Sequence, residues 1–151
     1  MIDGVKEKNL TRHFDDRGYF AEILRDDEEL LSRFGQASIT KTYSEVIKAF
    51  HWHKKQDDLW FCVSGSIQVV LYDRRPRSKT KGETSVFFLG EDNPKIVLIP
   101  KGVAHGYRVL GTKPAILVYF TTKSYNPNVP DEERIPFDDP RINFDWQTKN
   151  R

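Results

Sequence analysis

The stretch Phe50-His51-Trp52-His53-Lys54-Lys55-Gln56-Asp57-Asp58, running on to Gly65, and the later Pro100-Lys101-Gly102-Val103-Ala104-His105 decide how this chain is read. His51 and His53 are two residues apart, so on an extended strand both side chains point to one face. Asp58 comes five residues after His53, Gly65 seven after Asp58, and His105 stands just past a Pro-Gly turn. Imidazoles and a carboxylate gathered inside a closed sheet offer two chemistries. They can hold a divalent first-row metal with positions left open. Alternatively, a histidine of ordinary pKa near ~6.5 can take a proton from carbon. Histidines that merely satisfy hydrogen bonds are the plain alternative, and three of them in this pattern speak against it.

Outward from this stretch, strand signals dominate. Short extended runs are expected over 19–24, 36–43, 46–52, 59–63, 66–72, 84–89, 95–99, 104–110 and 115–121, separated by Gly65, Pro76, Gly90, Pro100, Gly102, Gly111 and Pro114. The run 66–72 alternates only in part, as a strand covered on both faces does. One short helix is expected over 26–34, where Leu30, Leu31 and Phe34 follow an acidic start. Prolines 127, 130, 136 and 140 make the tail from Lys123 extended loop. Many short strands at regular spacing predict an all-β jelly-roll barrel with that one short helix, as a single domain over 1–151.

Composition narrows the function. A net charge of +2 gives no reason to expect nucleic acid, and the basic run Arg74–Lys81 reads as a solvated turn. No signal peptide and no membrane-spanning run is evident, so a cytoplasmic protein is expected. A single cysteine, Cys62, excludes an internal disulfide and sits in an apolar run as an inert buried thiol. His13 is assigned no role. Trp52, Trp60, Phe20 and Tyr107 are candidates for stacking on a base or sugar, and filling the barrel is an equally good reason for them.

The pattern H-x-H-x4-D-x6-G followed by P-x-G-x-x-H resembles the two cupin motifs, with Asp58 where glutamate is usual. Further segments resemble the dTDP-4-dehydrorhamnose 3,5-epimerase family. These are Asp15-Asp16-Arg17-Gly18-Tyr19-Phe20-Ala21-Glu22, Lys48-Ala49-Phe50-His51, the turn of Asp73, Arg75, Ser78, Thr80 and Gly82, Ile99 to Tyr107, and Asp139 to Trp146. The resemblance implies a metal-free, homodimeric cupin-type enzyme acting on a nucleotide-linked 4-keto sugar. It maps the base that removes the proton alpha to the ketone onto His51, and the acid on the opposite face onto Tyr119. It places Arg17 and Glu22 among nucleotide-binding residues and His105 in the same pocket. Gln36, Lys48 and His53 join the expected substrate-binding set, and Tyr125 is either a substrate contact or a loop anchor. Arg17 and Lys48 suit a diphosphate.

The chain departs from the family pattern at informative places. Asp58 stands where the family keeps a lysine that stabilises the enolate, so that duty passes to Lys48 or Lys54. Asp58 instead becomes the expected partner that orients His51 or His53. These departures point away from the full double-epimerase activity. His51, His53, Asp58 and His105 also remain a candidate metal set for zinc, iron or nickel. A non-catalytic sugar-binding cupin is the third reading.

Overall fold

Period-two sequence becomes two facing sheets here because apolar residues recur along the longer strands and meet between the sheets. The computed structural model describes residues 1–149, so positions 150 and 151 of the expected domain lie outside the described residues. In chain order the strands are β1 (Lys6–Asn9), β2 (His13–Asp15), β3 (Gly18–Phe20), β4 (Gln36–Thr42), β5 (Ile47–Trp52) and β6 (Asp58–Ser64). They continue as β7 (Ser66–Asp73), β8 (Thr84–Gly90), β9 (Lys95–Ile99), β10 (Val103–Leu110), β11 (Ala115–Thr121) and β12 (Glu133–Arg134). One sheet runs β1-β9-β6-β11-β4, the other β12-β5-β10-β7-β8, and β2-β3 form a separate hairpin. All of the pairings are antiparallel, giving the jelly-roll barrel that the strand spacing predicts.

Gly65 is where the chain passes from the first sheet to the second. Its φ of +72° is left-handed, and a Cβ there would lie 2.5 Å from the Pro114 carbonyl oxygen. Conformation and space therefore both require glycine at this corner.

The partial alternation of β7 has a direct cause. Ile67, Val69 and Leu71 point between the sheets into the main core, with Trp60, Cys62, Val97, Val109 and Leu117. Val70 points outward, where the tail covers it with Ile142 and Trp146 beside Phe50 and Ala104. Leu59 and Ile96 on the outer face of the other sheet are covered by Leu10 and Leu30. Each fully buried Leu, Ile or Val contributes roughly 1.5–3 kcal/mol.

Several expectations change. The helix over 26–34 is a single 3-10 turn, Asp26–Glu28, followed by Glu29 at φ +50°. Leu30 gains more by covering the outer sheet face than a short isolated helix could supply. The strand expected over 19–24 is only Gly18–Phe20. The tail is not wholly loop, since Glu133 and Arg134 pair with Trp52 and His51 as an edge strand.

Candidate active site

The inward-facing series along the central strands changes character toward one end of the barrel. Val109, Tyr107 and His105 follow one another on β10, Cys62, Trp60 and Asp58 on β6, and Leu117, Tyr119 and Thr121 on β11. Apolar residues fill the closed end, and polar ones surround a cavity of about 1090 Å³ at the other. His51, His53, Asp58, Lys48, Gln36, Tyr119 and Tyr125 all line it. The base and acid implied by sequence thus share one cavity, His51 from β5 and Tyr119 from β11 in the facing sheet.

Lys48 and His51 are three apart, which a regular strand would send to opposite faces. An irregularity resolves this: His51 pairs with His105 and Lys48 with Tyr107, so β5 carries one residue more than β10. Gly106 makes the close approach feasible, because a Cβ there would come 2.3 Å from the Ala49 Cβ. The Lys48 ammonium donates to Thr40 Oγ1 at 3.1 Å. The Gln36 amide donates to Ser38 and its oxygen accepts from the Tyr125 N–H, tying the tail onto β4.

At the cavity wall the three imidazoles cluster, with His105 behind His51 and His53. The His51 and His105 ring centroids are 4.2 Å apart, and His53 lies 5.5 Å from each. His105 is buried, and its Nδ1 donates to the Val103 carbonyl at 2.9 Å. The His53 Nδ1 donates to the Asp131 carbonyl, while the Asp131 carboxylate accepts the N–H groups of Lys54 and Lys55. Asp58 Oδ2 is 3.6 Å from the Nε2 atoms of both His53 and His105. The Gln56 amide donates to its Oδ1 at 3.0 Å and the Trp60 indole N–H to its Oδ2 at 3.4 Å.

Burial sets the electrostatics. Burial and the neighbouring His105 hold the His51 imidazole well below its ordinary pKa, so it is neutral and ready to accept a proton. Burial works against charge on His53, but the Asp58 carboxylate and the Asp131 carbonyl outweigh it and raise its pKa. Burial likewise opposes a charged Asp58, and the imidazoles of His105 and His53 outweigh it, holding the carboxyl below its usual range. Burial pushes the Cys62 thiol up to about 12, in keeping with an inert core residue.

Three expected binding residues do not line this cavity: His105 is buried behind it, edge-on to His51 and Trp60, and the other two lie on or near the β2-β3 hairpin. Arg17 sits in the turn of the β2-β3 hairpin, exposed and paired with Asp15. Glu22 is exposed and paired with Arg25. The hairpin projects from the barrel because it pairs with neither main sheet. Trp60 and Tyr107 line the cavity, whereas the Trp52 ring lies outside it under the Arg74 guanidinium, 3.5 Å from the ring centre. Phe20 is on the hairpin. Sequence reasoning missed Gln56, Asp131 and Arg134, which also line the cavity, and only the loop position of Asp131 among prolines gave any signal.

Comparison with known proteins agrees with this architecture. The family model of dTDP-4-dehydrorhamnose 3,5-epimerase matches residues 1–151. The spore coat polysaccharide biosynthesis protein SpsL of Bacillus subtilis is 66% identical over 151 residues, covering 100% of both chains. A dTDP sugar isomerase of Desulfovibrio desulfuricans superposes with a TM-score of 0.89 at 30% identity, over 96% of this chain and 92% of that one. The dTDP-6-deoxy-D-glucose-3,5-epimerase of Legionella pneumophila, solved in complex with dTDP-4-keto-L-rhamnose, gives a TM-score of 0.87 at 30% identity, over 99% and 82%. With the same barrel and a match along its whole length, the chain belongs to the dTDP-4-dehydrorhamnose 3,5-epimerase family of isomerases.

Proposed function

We propose that this chain is a nucleotide-sugar epimerase or ketoisomerase, acting on a 4-keto hexose joined to a nucleoside diphosphate, in glycan biosynthesis. The observation that carries the reading is a half-buried, neutral imidazole, His51, sharing one cavity with Tyr119 of the facing sheet. His51 takes the proton alpha to the ketone, and Tyr119 returns one from the other face, which permits inversion. The enolate oxygen formed in between needs a cation or hydrogen-bond donors. His53 serves there, its hold on a proton strengthened by Asp58, with Lys48 on the same wall. Asp58 thereby replaces a direct lysine contact by an ion pair one step removed. Lys48, Lys54 and Arg134 line the cavity as partners for the diphosphate, and Gln36 and Tyr125 close its side. No metal enters this enolisation scheme.

The working unit is a single domain over 1–151 and a cytoplasmic homodimer. Among the described residues no helix is long and apolar enough to cross a membrane. The hairpin exposes Phe14, Tyr19 and Phe20, each more than half accessible, which suits burial against a second copy. Arg17 and Glu22 then serve the partner's cavity rather than their own.

The test is solvent deuterium uptake by dTDP-4-keto-6-deoxyglucose, followed by NMR. Exchange by the wild-type chain and its loss in His51→Ala are expected. Exchange that persists in His51→Ala would remove His51 as the base. Ligand-induced stabilisation without any exchange would leave only a sugar-binding protein.

A further inference from the structure

We propose that the outer side of β5 carries a second binding site, apart from the barrel cavity, for a phosphate or diphosphate oxyanion, gripped by the Arg74 guanidinium where it lies on the Trp52 ring. The site does not depend on the enolisation chemistry.

The basic run 74–81 reads from sequence as a solvated turn, yet its first residue is half-buried. Four of the described arginines are in that state: Arg12, Arg74, Arg75 and Arg108. Arg12 donates to the Glu91 carbonyl, Arg108 to the Trp146 carbonyl and Arg75 to the Asp73 carboxylate. Among the described residues Arg74 alone of the four has no acceptor. What holds it is the Trp52 ring, whose centre lies 3.5 Å from the guanidinium carbon. Stacking uses the flat face of the guanidinium and leaves its N–H edge free. A fork fixed in this way is pre-organised for two-pronged hydrogen bonding to an oxyanion.

The surroundings are built to match. Trp52 and Arg74 line a separate cavity of about 450 Å³, within the range of roughly 300–1,000 Å³ usual for small ligands. It shares only Lys54 with the barrel cavity, because Trp52 stands between His51 and His53 and its ring leaves the strand on the other side. Arg75 is neutralised by Asp73 and Lys54 by Glu133. That leaves Arg74 and Lys101 as the lining cations without an ion-pair partner among the described residues. Asp57 is the one lining carboxylate, and its Oδ1 is already taken by the Lys101 N–H at 2.8 Å. The frame is stiff, since Pro76 and Pro100 wall it and the Gly102 N–H donates to the His53 carbonyl at 2.7 Å. A planar carboxylate would be satisfied by the fork alone. A tetrahedral oxyanion of higher charge also uses the lysine ammonium beside it.

Three tryptophans let one labelled protein report on both cavities. The full chain carries 5-fluorotryptophan, with its fluorine resonances assigned through Trp52→Phe and Trp146→Phe. Trp52 then reports the outer site, Trp60 the barrel cavity and Trp146 the tail cluster. Sodium pyrophosphate should shift the Trp52 resonance to saturation. Arg74→Ala should weaken that response by at least about tenfold and leave the Trp60 response as it was. Arg74→Lys, which keeps the charge and loses the fork, should recover only part of the affinity. A Trp52 resonance that ignores pyrophosphate in the wild-type chain overturns the site, whatever the variants do. An equal shift in folded Arg74→Ala overturns it too, as does a shift of the same size with sodium chloride at matched ionic strength. Titration with dTDP separates two sources of the same chemistry. Equal midpoints at Trp52 support a site for the diphosphate alone, and a dTDP midpoint at least tenfold lower supports a nucleotide.

Discussion

Two buried aspartates sit at strand ends in this barrel and are treated very differently. Asp73, the last residue of β7, has no exposure, and every lone pair is taken by groups close in sequence. The Arg75 N–H and Nε donate to Oδ1 at 3.1 and 2.8 Å, and Arg75 Nη2, Ser78 and Thr80 donate to Oδ2. Asp58, the first residue of β6, is equally buried, yet its imidazole neighbours stand back at 3.6 Å. They arrive from β10 and the end of β5. A carboxylate saturated by its own turn has its whole effect in folding. One surrounded by slack, among titratable rings facing a cavity, keeps capacity for a proton or a ligand.

The largest effect that could break this contrast is on turnover. Asp58→Asn keeps the bond from Gln56 but removes the charge that raises the pKa of His53. Exchange into the keto sugar should fall about 10³-fold, within the range for a misassigned proton. The loss of thermal stability should be smaller than in Asp73→Asn. A variant that melts early but turns over normally would reverse the roles assigned to the two residues.

Next in size is Asp73→Asn, which leaves the Arg75 guanidinium facing a neutral amide. Removing one partner from such a pair costs about 3 kcal/mol, or about 6–12 °C in melting temperature for a chain of this size, with exchange unchanged. The sign of its pH dependence follows from the same contacts. Burial opposes the Asp73 charge, but Arg75, Ser78 and Thr80 outweigh it and hold the folded carboxyl well below its usual value. Its stabilisation is therefore complete above the unfolded value of about 3.9 and is lost as pH falls from there through the folded value. Melting curves of wild type and Asp73→Asn should converge in that acid window.

The contrast also explains what the chain made legible. The Asp73 turn is local, so residues 73 to 82 carry its pattern in order. The strands β7, β9, β10 and β11 were readable because apolar residues recur between glycine and proline breaks. β1 was not, because Lys6-Glu7-Lys8-Asn9 has no apolar residue and becomes a strand only by pairing with β9. The tail hid β12 for the same reason, since Glu133 and Arg134 are recruited by the edge of β5. In the site, the shared face of His51 and His53 followed from their spacing. The placement of Lys48 beside them did not, because it depends on an extra residue that only the pairing with β10 reveals. Arg17 and Glu22 carried a family pattern but no information about which cavity they face.

The smallest effect tests whether the slack around Asp58 is set by the backbone. Gly106 lies on β10 between His105 and Tyr107, opposite Val70 on one side and against Ala49 on the other. Gly106→Ala forces a methyl to 2.3 Å from the Ala49 Cβ, and the β5 backbone at Ala49 Cα and the Lys48 carbonyl leaves little room to yield. Overpacking of this kind costs about 2 kcal/mol. The displaced strand is β5, so the 4.2 Å spacing of His51 from His105 must open while the Asp73 turn is untouched. Exchange should drop about tenfold, since small misplacements of a reacting group are costly. The loss should appear in kcat more than in KM. Should Gly106→Ala retain full turnover while losing stability, the geometry around Asp58 would tolerate far more movement than a base held by its neighbours permits.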